Sequence, residues 1–145
     1  MKEFTRNVDI RWSDLDPNAH LRHSVYYDWG AFIRIEFLYA HGLTPELMQQ
    51  LQFGPILFRE ECVFRKEVRL GDKIAIGLKL VKAKKDYSRW TIQHDIMKNG
   101  DIVSAILTVD GAWIDTARRK LAIPPQQVSE GFSKMPLADN FGWTD

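Results

Sequence analysis

The segment Ser13-Asp14-Leu15-Asp16-Pro17-Asn18-Ala19-His20-Leu21-Arg22-His23 holds the densest set of ionisable side chains in the sequence. Two carboxylates, two imidazoles and a guanidinium fall between positions 14 and 23. The residues that follow are apolar at helical spacing, so the cluster stands at a helix N-terminus. Such an end presents unpaired backbone N–H groups and the positive end of the helix dipole. Those donors stabilise a phosphate or a developing oxyanion. A carboxylate beside them serves as nucleophile or general base. Carboxylate and oxyanion donors together are what acyl transfer needs. Two other readings use the same side chains. Asp14 and Asp16 can form Asx-turns, with solvated histidines alongside. His20 and His23, with Asp14 and Asp16, can also be read as metal ligands. No further histidine stands at ligand spacing, which counts against that second reading, and no metal is expected.

The elements that must position this loop follow from periodicity. Residues 4–12 read as a strand, with Phe4, Val8, Ile10 and Trp12 on one face and Arg6 out of pattern. Residues 23–41 read as one long helix, because Val25, Trp29, Phe32, Ile33 and Phe37 recur at helical spacing. His23 or Ser24 falls near its N-cap and Gly42 where a C′ glycine belongs. Ile35, Leu38, Tyr39 and Ala40 widen the apolar stripe, which implies a helix wrapped by other elements. Thr44-Pro45 starts a short helix that runs to about residue 51.

From Gly54 the period becomes two, with strands expected over about 56–68, 74–81, 89–96 and 102–114. Lys98-Asn99-Gly100-Asp101 is a hairpin signal, since Asn-Gly supplies positive φ. The last of these strands is apolar on both parities and reads as central. Pro124-Pro125 reads as the end of regular structure, and residues 126–145 carry no assignable pattern. A strand, a long helix and four hairpin-linked strands make an α+β domain, one antiparallel sheet wrapped on one helix.

Composition narrows the partners. The chain has 145 residues, 45% hydrophobic and 27% charged, which suits one globular domain over residues 1–145. Lys plus Arg is 20 and Asp plus Glu is 19, so the net charge of +1 gives no global field for nucleic acid or an anionic membrane. No apolar run approaches the ~20 residues of a membrane span. The first residues, Met1-Lys2-Glu3-Phe4-Thr5-Arg6, lack a signal-peptide core. A single cysteine, Cys62, excludes an internal disulfide and reads as buried and inert. A cytoplasmic protein without nucleic-acid or membrane partners is expected.

Several motifs occur in a telling order. Arg11-Trp12-Ser13-Asp14-Leu15-Asp16-Pro17-Asn18-Ala19-His20 is followed by Tyr26 and then Arg34-Ile35-Glu36-Phe37-Leu38. Val68-Arg69-Leu70-Gly71-Asp72-Lys73-Ile74, Asp101-Ile102-Val103-Ser104-Ala105 and Arg118-Arg119-Lys120-Leu121-Ala122-Ile123-Pro124 come next. Over about residues 4–125 this series resembles the 4-hydroxybenzoyl-CoA thioesterase family of hotdog-fold proteins. The resemblance implies a five- or six-stranded antiparallel sheet around a long central helix. It implies hydrolysis of an acyl-CoA thioester without metal, coenzyme A entering only as part of the substrate. Asp16 matches the family's catalytic carboxylate, and His23 the residue whose backbone N–H polarises the thioester carbonyl. In some relatives the ring at the His23 position also acts. Homodimers or homotetramers are implied as well. The chain departs from the family pattern at Asn18-Ala19, where a glycine is usual, at Arg22-His23, where related enzymes carry Asn-Asn, and at Ala31, where an acidic residue is common.

Around these two residues, Ser24, Asp14 and His20 are expected to support the loop. Tyr26 and Tyr27 are candidates to line an acyl pocket. Lys84, Lys85 and Arg89, with Lys79 and Lys82, form a basic hairpin. It reads either as a rim for coenzyme A phosphates or as a solvated sheet edge. His94 shares a strand face with Trp90, Ile92 and Ile96 and is expected to be a partnered core or interface residue. A non-catalytic acyl-CoA or lipid-binding domain, and a hydrolase of acyl carrier protein thioesters, stand as alternatives.

Overall fold

A computed structural model describes residues 3–145. Helix α1 spans His23–Ala40 and buries Val25, Tyr26, Trp29, Ile33 and Phe37. Its C-terminus closes as expected. Gly42 sits at φ +75°, the Leu43 amide donates to Leu38 O at 2.8 Å, and the Gly42 amide donates to Tyr39 O at 3.1 Å. That pair of bonds requires a left-handed residue at C′, which glycine adopts without strain. The N-cap is Arg22 rather than His23 or Ser24, and no side chain caps the first turn. Ser24 is otherwise engaged, its Oγ accepting from Arg22 Nε at 2.9 Å. Helix α2 spans Pro45–Leu51 with Thr44 as N-cap, accepting from the Leu47 amide at 3.2 Å.

The strands are β1 (Thr5–Val8), β2 (Phe53–Phe64), β3 (Ile74–Gly77), β4 (Lys79–Lys84), β5 (Arg89–Lys98), β6 (Ile102–Asp115), β7 (Lys120–Leu121) and β8 (Leu137–Thr144). They form one sheet in which β1 pairs β3, both β3 and β4 pair β5, β5 pairs β6, and β6 pairs β2. Those pairings are antiparallel. β3 and β4 are the two halves of the strand expected over 74–81, interrupted at Leu78. The Leu78 amide donates to Phe4 O and the Leu80 amide to Pro136 O. The arrangement is α+β, a curled antiparallel sheet with α1 against its face, as the resemblance implies. Gly30 sets how close helix and sheet come, because a Cβ there would collide with the Leu107 side chain. Among the described residues no helix is long and apolar enough to cross a membrane.

Several expectations need correction. The first strand stops at Val8, and Trp12 is 79% exposed at the start of a 3-10 turn, Trp12–Asp14. β2 begins earlier than expected and ends at Phe64. A register shift between Leu57 and Arg59 breaks its alternation, leaving Phe58 exposed. α1 is not wrapped all round, since Phe32, Ile35 and Tyr39 remain exposed. Central β6 is buried throughout one parity from Ala105 to Trp113, while on the other Ser104 and Ala112 are buried, Ile106 and Ile114 half-buried and Ile102 exposed.

The tail after Pro124 is structured. Pro125 is the N-cap of α3 (Gln126–Phe132), where the fixed φ of proline suits a helix start rather than a stop. β8 then pairs β4 in parallel. Phe132 joins an aromatic cluster, its ring 5.5 Å from both Trp90 and Trp113 and 5.7 Å from Tyr87.

Candidate active site

The polar loop is built on two carboxylates with different surroundings. Asp14 is 1% exposed. Arg11 donates to it from its backbone amide at 2.9 Å and from Nη2 at 2.9 Å. These bonds hold the Asp14 carboxyl below its usual range against the opposing effect of burial. The Arg22 amide donates to Asp14 O at 2.7 Å, which fixes the chain just before α1. Asp14 therefore ties the two ends of the loop together.

Asp16 caps a turn with one oxygen only. Its Oδ1 accepts from the Asn18 amide at 2.8 Å and the His20 amide at 3.1 Å. Oδ2 accepts no hydrogen bond among the described residues. The backbone of Asp16 and His20 exchanges a bond at 2.8 Å, and the Ala19 amide reaches Asp16 O at 3.0 Å. Ala19 has φ +62°, the left-handed position that favours glycine. The usual glycine is thus replaced without loss of the turn.

Asp16 faces a cavity of about 350 Å³ lined also by His20, His23, Tyr26, Phe64 and Glu67. His23 is exposed at the first position of α1. The amide hydrogens of His23 and Ser24 meet no protein acceptor among the described residues, whereas the Val25 amide turns back to Arg22 O. The start of α1, through His23, and Asp16 therefore border the same cavity. Tyr26 is buried, with its ring edge-on to Phe64 at 4.9 Å. Burial, then the Cys62 and Asp16 charges, push its phenol up to about 12, so it stays protonated as a donor. His20 turns to Glu67, with Nε2 2.9 Å from Oε2. The Arg69 guanidinium, hydrogen-bonded to Glu67, is the main cause of the lowered Glu67 carboxyl.

Other expected residues fall elsewhere. Tyr27 packs against the core and does not line this cavity. Lys84 and Arg89 line a different depression with Asp110 and Thr144, and Arg89 lies over the Phe58 ring at 4.6 Å. Lys85 lies in the turn between them. Phe64 is in register with Ala105 and Ala105 with Ile96. Arg89 precedes Ile96 by seven positions on β5, so the hairpin is roughly 23 Å from the Asp16 end of the sheet within one chain. Residues that sequence reasoning missed stand in its place. Arg65 and Lys66 line the Asp16 cavity, exposed and with no ion pair among the described residues. They reach it because both amides donate to Ser104 O, bending the chain as it leaves β2. No sequence signal connects position 65 to position 16, because the pairing of Leu21 with Val68 O that joins the segments is non-local.

His94 is fully buried and bonded at both ring nitrogens, to Gly77 O at 3.0 Å and Arg34 Nη1 at 2.8 Å. The Cys62 thiol is pushed up to about 11 by burial. Among the described residues no group of three or more His, Cys, Asp or Glu side chains is placed to hold a metal ion.

No curated protein sequence matches the chain. A Staphylococcus aureus protein solved in complex with CoA superposes with a TM-score of 0.82 at 20% identity, over 94% of this chain and 88% of that one. A 1,4-dihydroxy-2-naphthoyl-CoA thioesterase from Synechocystis gives 0.80 at 16% identity, over 92% and 97% of the two chains. A gentisyl-coenzyme A thioesterase gives 0.75 at 18% identity, over 90% and 99%. At these identities the likeness is one of fold. Residues 10–132, which hold the Asp16 loop, α1 and strands β2 to β7, match the thioesterase-like superfamily, and the chain belongs to that superfamily.

Proposed function

We propose that this chain hydrolyses an acyl-CoA thioester to the free acid and CoA. Asp16 is nucleophile or general base, and the His23 and Ser24 amides are the oxyanion donors. The observation that carries this reading is the juxtaposition of a half-clamped carboxylate with an uncapped helix start in one cavity. Clamping Oδ1 orients Oδ2 in advance, so no freedom is lost at the moment of reaction. The thioester carbonyl is already electrophilic and the thiolate leaves readily. Attack by Oδ2 forms an acyl–Asp16 anhydride and expels CoA thiolate, and water then cleaves the anhydride. In the alternative course Oδ2 takes a proton from water as that water attacks the carbonyl. In both, negative charge develops on the carbonyl oxygen, where amide donors are worth about 2.7–4 kcal/mol each. The exposed His23 ring stands at the cavity wall and can carry a proton to the departing thiolate.

Arg65 and Lys66 are the phosphate contacts, as unpaired cations at the same cavity. Lys84, Lys85 and Arg89 lie farther from Asp16 and are the second set of candidate phosphate contacts, for the CoA of their own chain or of another copy. Self-association, as a homodimer or homotetramer, is part of the proposal. β2 pairs only with β6 among the described residues, and it exposes Phe58, Val63 and Phe64 beside its free edge.

A panel of aromatic and aliphatic acyl-CoA substrates with detection of the released thiol tests the reading. Turnover of at least one substrate, abolished in Asp16→Asn, is expected. Saturable acyl-CoA binding with no thiol release from any substrate would leave a binding domain instead.

A further inference from the structure

Part of the Asp16 cavity wall is residues 65–68, which lie in the irregular segment between β2 and β3. Such a segment has few ladder bonds of its own, so whatever holds it decides how firmly it can support a reacting group. Two adjacent carbonyls tie it to different elements. Val68 O accepts from the Leu21 amide at 2.8 Å, which joins the segment to the Asp16 loop. Glu67 O accepts from Lys98 Nζ at 2.6 Å, which joins it to β5. No backbone amide among the described residues reaches Glu67 O. Val68 buries its side chain fully, which fixes where the segment lies, whereas Glu67 is exposed and takes its orientation from these bonds.

Lys98 has the properties of an anchor. It is the last residue of β5, in register with Ile74 on one side and Ile102 on the other. Its side chain is only 16% exposed, and Asp72 Oδ2 lies 3.7 Å from its ammonium. Asp72 is itself fixed, Oδ2 accepting from the Arg69 amide at 2.9 Å and Oδ1 from Asn99 Nδ2 at 3.1 Å. The Asn99-Gly100 turn thus orients the carboxylate that faces the ammonium.

From Glu67 the connection continues to the reacting group. Glu67 Oε2 meets His20 Nε2 at 2.9 Å. The His20 amide donates to Asp16 Oδ1 at 3.1 Å, and His20 O accepts from the Asp16 amide at 2.8 Å. Lys98 does not line the cavity. We infer that Lys98 is a positioning residue for Asp16: it pins the Glu67 backbone to β5, and Glu67 holds His20 and the turn that aims the Asp16 carboxylate. The inference rests on the reading of Asp16 as the reacting group. A displacement of about 1 Å in such a support can cost as much as ~10²-fold in rate. Arg65 and Lys66 are held separately, by Ser104 O, so losing the Lys98 bond should disturb the carboxylate more than these cations.

Lys98→Met keeps the apolar stem and removes the donor. Its kcat for acyl-CoA should fall about 10-fold, with KM changed less than ~3-fold. Lys98→Arg keeps a cationic donor and should retain kcat within ~3-fold of the parent. Amide hydrogen exchange supplies a readout independent of turnover. In Lys98→Met the Asp16 and Leu21 amides, bonded to His20 O and Val68 O, should exchange at least ~10-fold faster, while the His94 and Ile96 amides inside β5 stay protected. Unchanged exchange at Asp16 and Leu21, or unchanged kcat, would overturn the inference. Equally faster exchange along β5 would make Lys98 a general support of the sheet and overturn it as well. If Lys98→Met does not fold, Lys98→Gln, too short to reach Glu67 O, is read by the same criteria. If the parent chain releases no thiol from any substrate, the thioesterase reading fails, and exchange at the two loop amides still decides whether Lys98 holds Asp16 in place.

Discussion

Asp14 and Asp16 stand two positions apart and present their carboxylates to opposite surroundings. Asp14 has both oxygens on Arg11 and is 1% exposed. Asp16, which lines the cavity, clamps one oxygen on its own loop and leaves the other without a partner among the described residues. In a strand, residues two apart share a face. Here the 3-10 turn ends at Asp14 and the Asp16 turn begins at once, so the faces separate.

That separation makes the two asparagine variants distinguishable. Asp16→Asn keeps the Oδ1 acceptor and removes the charge, so the loop should survive while kcat falls at least ~10²-fold. Asp14→Asn should cost about 1–2 kcal/mol of stability, the charge-assisted bonds being discounted because Arg11 is solvent-exposed. Its kcat should fall less than ~10-fold if the loop stays folded. Urea unfolding and steady-state kinetics on both variants settle the roles. Near-normal turnover by Asp16→Asn would remove it from the mechanism.

Ala19 sits at φ +62°, where a Cβ is unfavourable by roughly 1–2 kcal/mol. Ala19→Gly relieves that strain but gives the unfolded chain more freedom, which offsets part of the gain. A net stabilisation of about 0.5–1 kcal/mol is expected, read as a higher urea midpoint at constant m-value. A lower midpoint would show that Ala19 does not hold the left-handed conformation in solution.

Helix α1, α2 and the hairpin at Asn99-Gly100 were legible because each is specified by residues close in sequence. The Thr44-Pro45 start and the Gly42 stop are local chemistry, and Asn99 and Gly100 both have positive φ. What was not legible depends on distant partners. The break at Leu78 comes from Phe4 O and Pro136 O drawing off two amides. α3 and β8 exist because Phe132 and Leu137 find Trp90, Trp113 and β4. For the site, Asp16 and His23 share one loop and helix start, so their proximity follows from the sequence. Arg65, Lys66 and Glu67 join them through non-local contacts, the bonding of Leu21 to Val68, of both basic residues to Ser104 and of His20 to Glu67.

His94 gives the protein a pH dependence of known sign. Burial, reinforced by Arg34, pushes its imidazole down to about 3, from an ordinary value of 6.5. The folded imidazole is therefore neutral where the unfolded one is charged. Stability is fully present above pH 6.5 and falls as pH drops toward 3, by up to about 1.4 kcal/mol per pH unit. Asp14, Glu67, Asp72 and Asp86 have lowered carboxyls and add to the loss only near and below the ordinary carboxylate range. Between pH 6 and pH 5 His94 should dominate, so His94→Gln should flatten that part of the stability curve. An unchanged slope in the variant would mean that another group carries it.

The phosphate contacts can be assigned by comparing two clusters of cations. Arg65 and Lys66 border the Asp16 cavity, and Lys84, Lys85 and Arg89 lie roughly 23 Å away in the same chain. Removing a contact to a remote, unreacting part of the substrate raises KM and spares kcat when the interaction is equal in ground and transition states. Arg65→Ala with Lys66→Ala should therefore raise KM for acyl-CoA about 10-fold or more, with the effect shrinking at high salt. A pantetheine thioester without the nucleotide should be hydrolysed almost as before. Replacing Lys84, Lys85 and Arg89 by Ala should change KM by less than ~2-fold if Arg65 and Lys66 hold the phosphates. The opposite pattern would overturn the Arg65 and Lys66 assignment. It would assign the phosphates to the hairpin, and recovery of KM of the hairpin variant in mixed oligomers with Asp16→Asn chains would then show that the hairpin of one copy completes the site of another.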